Sequence, residues 1–210
     1  MKWPAKRITG IYLAILVEGA LGVAALILGW IFPLREQFEA SARELGWDTA
    51  LGVAATLPLL VIFWWLIHAD WPAASRLRQQ VEHLIAELFP HASTLQLMAI
   101  AAVAGVGEEL LFRGTIQPLI ARWSTPIIGL VVASLIFGAF HAVSLLYFIL
   151  ATLVGGYFGG IVLVGRSLLP AIVAHALYDF IALVYLSRSM TRGYATRATS
   201  LEEENAGIRD

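Results

Sequence analysis

Gly107-Glu108-Glu109-Leu110-Leu111-Phe112-Arg113 is the stretch on which the reading of this chain turns. Two adjacent carboxylates interrupt an apolar run from Leu95 to Leu111. An ionisable side chain at membrane depth costs roughly 2.5–3.5 kcal/mol on insertion scales, and two neighbours also repel. On a helix, Glu109 and Arg113 stand four residues apart on one face, whereas Glu108 points about 100° away from Glu109. One carboxylate can therefore be paired and structural while the other stays free for chemistry. A plain membrane-interface salt-bridge cluster is the alternative for the same residues.

The rest of the chain sets this stretch in a membrane. Of 210 residues, 59% are hydrophobic and only 14% charged, and the mean hydropathy is +0.78. Those values lie far outside the soluble range. A net charge of −1 gives no basic field for nucleic acid. With no cysteine, a disulfide framework, a thiol nucleophile and thiolate metal sites are all excluded.

Apolar runs divide the chain into an all-α polytopic helix bundle of about six transmembrane helices, with one or two interfacial amphipathic helices. After a basic start (Lys2, Lys6, Arg7), Ile8 to Phe32 is long enough to span, and is read as a retained anchor rather than a signal peptide. It contains Glu18, a carboxylate that either faces the bundle or serves the site. Pro33 to Asp48 is charged. Ala50 to His68 is a second span kinked at Pro58, with Trp64, Trp65 and Trp71 as an aromatic belt. Ala73 to Leu88 places Leu77, Val81, Leu84, Ile85 and Leu88 at helical spacing, which suits a surface helix; His83 and His91 read as solvated.

A third span starts near Leu95 and carries the Glu pair. A fourth opens at Pro126. The apolar stretch then runs to Val164, too long for one crossing, so it must break around His141 to Leu145. In the fifth span, Gly155/Gly159 and Gly156/Gly160 read as close-packing pairs. Leu168 to Leu186 is the sixth. Three regions result: spans and an interfacial helix over 1–94, a membrane core over 95–188, and a flexible polar tail over 189–210. The distribution of Lys and Arg between the loops puts both termini in the cytoplasm, with the cell membrane as the location.

Few ionisable groups remain inside the spans: Glu18, Glu108, Glu109, Arg113, His141, His175 and Asp179. His175 and Asp179 share a helix face at i,i+4, as do Phe137 and His141. A carboxylate and an imidazole can deprotonate a water, and a second imidazole can stabilise an oxyanion; together they hydrolyse an amide. Alternatively Glu108, His141 and His175 bind a divalent metal such as zinc, which acidifies its water. The residues are the same in both schemes. No His-Glu-x-x-His, Gly-x-Ser-Gly or Gly-x-Gly-Asp motif is present, and Gly105-Val106-Gly107 lacks the rest of a phosphate-binding fingerprint, so no nucleotide is expected.

In order, Glu108-Glu109-x-x-x-Arg113, Phe137-x-x-x-His141 and His175-x-x-x-Asp179 resemble the three motifs of the CAAX prenyl protease and bacteriocin-processing (CPBP, or Abi) family of intramembrane proteases. The resemblance covers about Leu95 to Leu186. It implies an all-helical membrane endopeptidase in which Glu108 and His141 activate water. It implies that His175 with Asp179 supports the oxyanion or the site, and that Glu109 and Arg113 form a supporting ion pair. A metal-dependent and a metal-free glutamate route both remain open. The substrate would be a peptide or membrane protein met in the lipid bilayer. The prenyl-protein branch carries Asn where this chain has Asp179. An ionised Asp cannot donate to an oxyanion, so Asp179 must be protonated, orient His175 or ligate a metal.

Counting along the spans raises a mismatch. Glu108 would lie about 20 Å into its helix and His141 about 24 Å into an antiparallel one, missing by roughly 14 Å. Tilt, a third helix reaching Trp123, or a broken fourth helix would close the gap. Two other functions compete: a non-catalytic scaffold or chaperone partner on the same fold, and a proton-coupled transporter, which the absence of a detectable repeat disfavours.

Overall fold

A computed structural model describes the backbone of residues 4–32, 42–90 and 92–207, with side chains over 10–32, 45–90 and 92–189. His91 and most of the charged 33–48 stretch lie outside the described residues. Every regular element is helical: α1 Pro4–Ile31, α2 Ala42–Ile67, α3 Pro72–Leu88, α4 Thr94–Leu111, α5 Gln117–Trp123, α6 Pro126–Phe140, α7 Leu145–Gly165 and α8 Leu169–Gly207. Five stretches are long and apolar enough to cross a membrane: Gly10–Ile31, Leu45–Ile67, Thr94–Trp123, Leu145–Gly165 and Leu169–Ser189. Helix α6, also apolar, has only 15 residues. The six expected membrane segments are thus five full spans and one short one.

Local chemistry sets the boundaries. Ser93 caps α4 reciprocally with Gln96, Thr125 and Ser144 accept from the first turns of α6 and α7, and Pro72 and Pro126 sit where a missing N–H is harmless. Helix α2 continues through Pro58. In α3, Ala74, Leu77 and Ile85 are buried while His83 pairs with Glu87 on the exposed face, as its pattern requires. From residue 189, where a flexible tail was expected, the backbone of α8 stays helical to Gly207.

The central element is the continuous rod of α4 and α5, which holds more buried residues than any other span. Between them Phe112–Ile116 forms a π turn. The wider turn frees backbone groups, and two are recovered locally: Thr115 Oγ1 donates to Leu110 O at 3.1 Å, and the Gln117 amide donates to Phe112 O. Single π turns of this kind cluster at functional positions. Helix α1 packs along one side of the rod and α8 along another, α5 folds back on α6, and α6 on α7.

This rod removes the depth mismatch. Glu108 precedes Trp123 by fifteen residues, and His141 follows Pro126 by fifteen. About 22 Å of helix therefore separates each from the same α5–α6 corner. The third helix does reach Trp123, and the fourth ends at Phe140. Measuring each residue from the start of its own span had ignored the corner that the two helices share.

Candidate active site

Each motif occupies one helix of the core. Glu108 and Glu109 end α4, Arg113 lies in the π turn, Phe137 and His141 end α6, and His175 and Asp179 lie in α8. The fold brings all seven together. Two layers result.

The inner layer is closed. Glu109 is fully buried and Arg113 is 1% exposed. Arg113 Nη1 donates to Glu109 Oε1 at 2.7 Å, and Nη2 donates to Gly155 O on α7 at 2.9 Å. The guanidinium lies 4.4 Å from the centroid of Phe137, with Phe158 and Phe112 at 5.6 and 5.8 Å. These rings give cation–π contacts to a buried guanidinium. His175 Nδ1 donates to the same Glu109 oxygen at 2.8 Å. Its ring stacks on Phe158 at 5.0 Å, and its Nε2 faces Asp179 Oδ2 at 3.4 Å. Glu109 thus spends its charge on two buried donors, the structural half expected of the pair.

The outer layer is more open. Glu108 is 6% exposed, and its Oε2 receives no hydrogen bond from a described residue. It lies 3.7 Å from His141 Nε2. His141 is the helix-terminating residue of α6, stacked on Phe137 at 4.5 Å. Its Nδ1 is 2.9 Å from Phe137 O. A carbonyl only accepts, so Nδ1 must carry the proton. In the neutral ring Nε2 is then the lone-pair nitrogen, and it is the one aimed at Glu108. By distance alone, one water about 2.8 Å from each atom would span that separation, although Oε2 itself is closed off from solvent.

The proposed metal set does not converge. His175 turns both ring nitrogens to carboxylates, leaving neither for the space between Glu108 and His141. Among the described residues no three His, Asp or Glu side chains form a group able to hold a metal ion.

Several residues at the site carry no motif. The Glu18 carboxyl interacts with that of Glu108 from α1, and its place in an apolar run was the available signal. Tyr147 sits edge-on to His141 at 6.2 Å. Gln117 Nε2 donates to Gly159 O at 3.2 Å, one helical turn from the Arg113–Gly155 bond. Gly155 and Gly159 therefore do more than pack: they let two buried donors reach their carbonyls. A side chain on Gly160, by contrast, would meet nothing within 4 Å.

Residues 90–181 match the family described as type II CAAX prenyl endopeptidase, Rce1-like. The match begins just before α4 and takes in all three motifs, bearing out the resemblance read from them. No curated protein and no solved structure matches the chain.

Proposed function

We propose, from a membrane core that belongs to the CAAX protease family, that this chain is an endopeptidase whose water is activated by Glu108 and His141. The match supports an integral membrane peptidase in general. The single observation that carries the finer reading is the Glu108 Oε2–His141 Nε2 separation of 3.7 Å, with the tautomer of His141 set by Phe137 O.

The residues divide the reaction as follows. A water held by Glu108 and His141 Nε2 gives up a proton to that pair as its oxygen adds to the scissile carbonyl carbon. The carbonyl π electrons move to oxygen, while His175, with both ring nitrogens held by Glu109 and Asp179, supports the site from the α8 side rather than donating to that oxygen. Collapse of the tetrahedral intermediate breaks the C–N bond, and the proton passes from the pair to the leaving nitrogen. Glu109 and Arg113 keep His175 and the π turn in place. The substrates are peptides or membrane proteins presented in the bilayer, both termini face the cytoplasm, and the membrane is the cell membrane. No step is assigned to a metal.

The test is cleavage of a fluorogenic farnesylated peptide ending in a CAAX sequence, by purified protein in detergent. Wild type is compared with Glu108→Gln, with and without chelator. Loss in Glu108→Gln at unchanged thermal stability supports the reading. Wild-type cleavage by Glu108→Gln overturns it, and loss with chelator restored by Zn²⁺ replaces it with a metal-dependent route.

A further inference from the structure

Helix α1 lies outside the matched residues and outside all three motifs, yet it touches the site at one carboxyl. Glu18 stands in an apolar span. Its carboxyl interacts with that of Glu108. Neither its Oε2 nor Glu108 Oε2 receives a hydrogen bond from any described donor.

The approach is built into the backbone. A Cβ on Gly107 would collide with the Glu18 carbonyl oxygen and come within 3.4 Å of the Gly22 amide nitrogen. Gly22 in turn faces Gly107 Cα, at 3.5 Å from where its own Cβ would be. Glu18 and Gly22, one turn apart, thus straddle the glycine that immediately precedes Glu108. Small residues are what allow two membrane helices to come this close. About two turns further along the rod, Thr115 Oγ1 reaches Ala25 O at 3.4 Å, so α1 stays beside the rod past the Glu pair. The contact is a seam several turns long, with Glu18 at its polar point.

We propose that Glu18 is the positioning residue of Glu108, holding its carboxyl so that Oε2 faces His141. Two carboxyl groups hydrogen-bond only with a proton between them, so the pair bears at most one negative charge. One member then donates and the other accepts, which fixes the Glu108 rotamer. The α1 backbone carries the anchor, and the Gly107 approach sets its distance. Without Glu18, Glu108 has no described hydrogen-bond donor to hold it. The role rests on Glu108 being the water-activating carboxylate; the contact itself does not.

Two measurements test it, one free of activity. The first is a double-mutant cycle on thermal unfolding in detergent, with Glu18→Leu, Glu108→Leu and the pair together. Each single change strands one carboxyl among apolar side chains, whereas the double change strands none, so the double variant must unfold at a higher temperature than the sum of the single shifts. Additive shifts overturn the proposal.

The second is kinetic, with the same farnesylated peptide. Glu18→Leu lowers kcat about tenfold with KM nearly constant, since a misplaced carboxylate weakens the transition state and not substrate binding. Glu18→Gln keeps an amide donor for Glu108 and stays within about threefold of wild type. A purely structural role predicts the opposite for leucine, which suits a membrane helix better than glutamate does. Wild-type kcat in Glu18→Leu overturns the proposal. In the same assay, wild-type cleavage by Glu108→Gln removes Glu108 from the reaction, and the double-mutant cycle then decides the contact alone.

Discussion

Glu109 and His175 meet at 2.8 Å, Oε1 to Nδ1, across the contact between α4 and α8. The same oxygen takes Arg113 Nη1 at 2.7 Å. One buried carboxylate therefore ties together the first motif, the π turn and the third motif.

That arrangement makes the loss of Arg113 alone costly to stability. Its removal leaves the buried Glu109 charge with the His175 N–H as its one described partner, and breaking a buried ion pair typically costs about 3–5 kcal/mol. Arg113→Met is expected to lower the unfolding midpoint steeply. Arg113→Met combined with Glu109→Leu takes out both charges, and is expected to recover much of the loss while leaving His175 without its acceptor. Thermal unfolding of the three variants in detergent checks this. A double variant no more stable than Arg113→Met would show that the ion pair itself holds the core.

His141 calls for the reverse. Its side chain is 27% exposed at a helix end, so His141→Ala should hardly move the unfolding midpoint. As half of the water-activating pair it should lose about 10²–10⁴-fold in kcat. Chelator at a concentration that strips bound zinc should leave wild-type cleavage unchanged. Steady-state kinetics with and without chelator, beside a melting curve, separates these outcomes.

The motifs were legible because their chemistry repeats at four-residue spacing on apolar helices, a pattern that one sequence carries in full. Glu109–Arg113, Phe137–His141 and His175–Asp179 all obey it. The π turn was not legible, because Phe112 to Ile116 contains nothing that forbids an ordinary helix. Nor was the use of Gly155 O and Gly159 O as acceptors: a backbone carbonyl has no residue identity, and only the tertiary approach of α7 reveals it. Glu18 stood out as a carboxylate in an apolar run, but its target depends on which helix α1 meets, and that follows from Gly107 and Gly22 together.

Glycine positions along the rod should differ sharply. A Cβ on Gly105 would lie 2.9 Å from the Ala176 amide nitrogen and 2.9 Å from its Cβ. Backbone cannot yield as a side chain can, so Gly105→Ala must push α8 away one turn from the Glu109–His175 bond. We expect a loss of about 1–3 kcal/mol and a fall in cleavage with it. Gly160→Ala meets open space and should be neutral or slightly stabilising, given the better helix propensity of alanine. Parallel melting curves of the two variants provide the comparison, and equal behaviour would contradict the close α4–α8 approach.

Asp179 offers the sharpest chemical test, because its role depends on who holds the proton. His175 Nδ1 donates to Glu109, so in the neutral ring Nε2 is an acceptor, and Asp179 at 3.4 Å must then be protonated to serve it. An ionised Asp179 instead requires a proton on both ring nitrogens. Asp179→Asn tests whether the charge matters: its NH₂ donates to a neutral Nε2 and, turned over, its Oδ1 accepts from an imidazolium, but it brings no negative charge. If orientation of a neutral His175 is the task, Asn should keep activity within about tenfold of wild type, while Asp179→Ala loses about 10–100-fold, the usual cost of removing the partner that orients a functional imidazole. An Asn variant as impaired as Ala would mean that His175 works as the imidazolium and that the Asp179 charge is needed to hold it. The measurement is kcat for the three proteins on one peptide, with melting curves to confirm that each is folded.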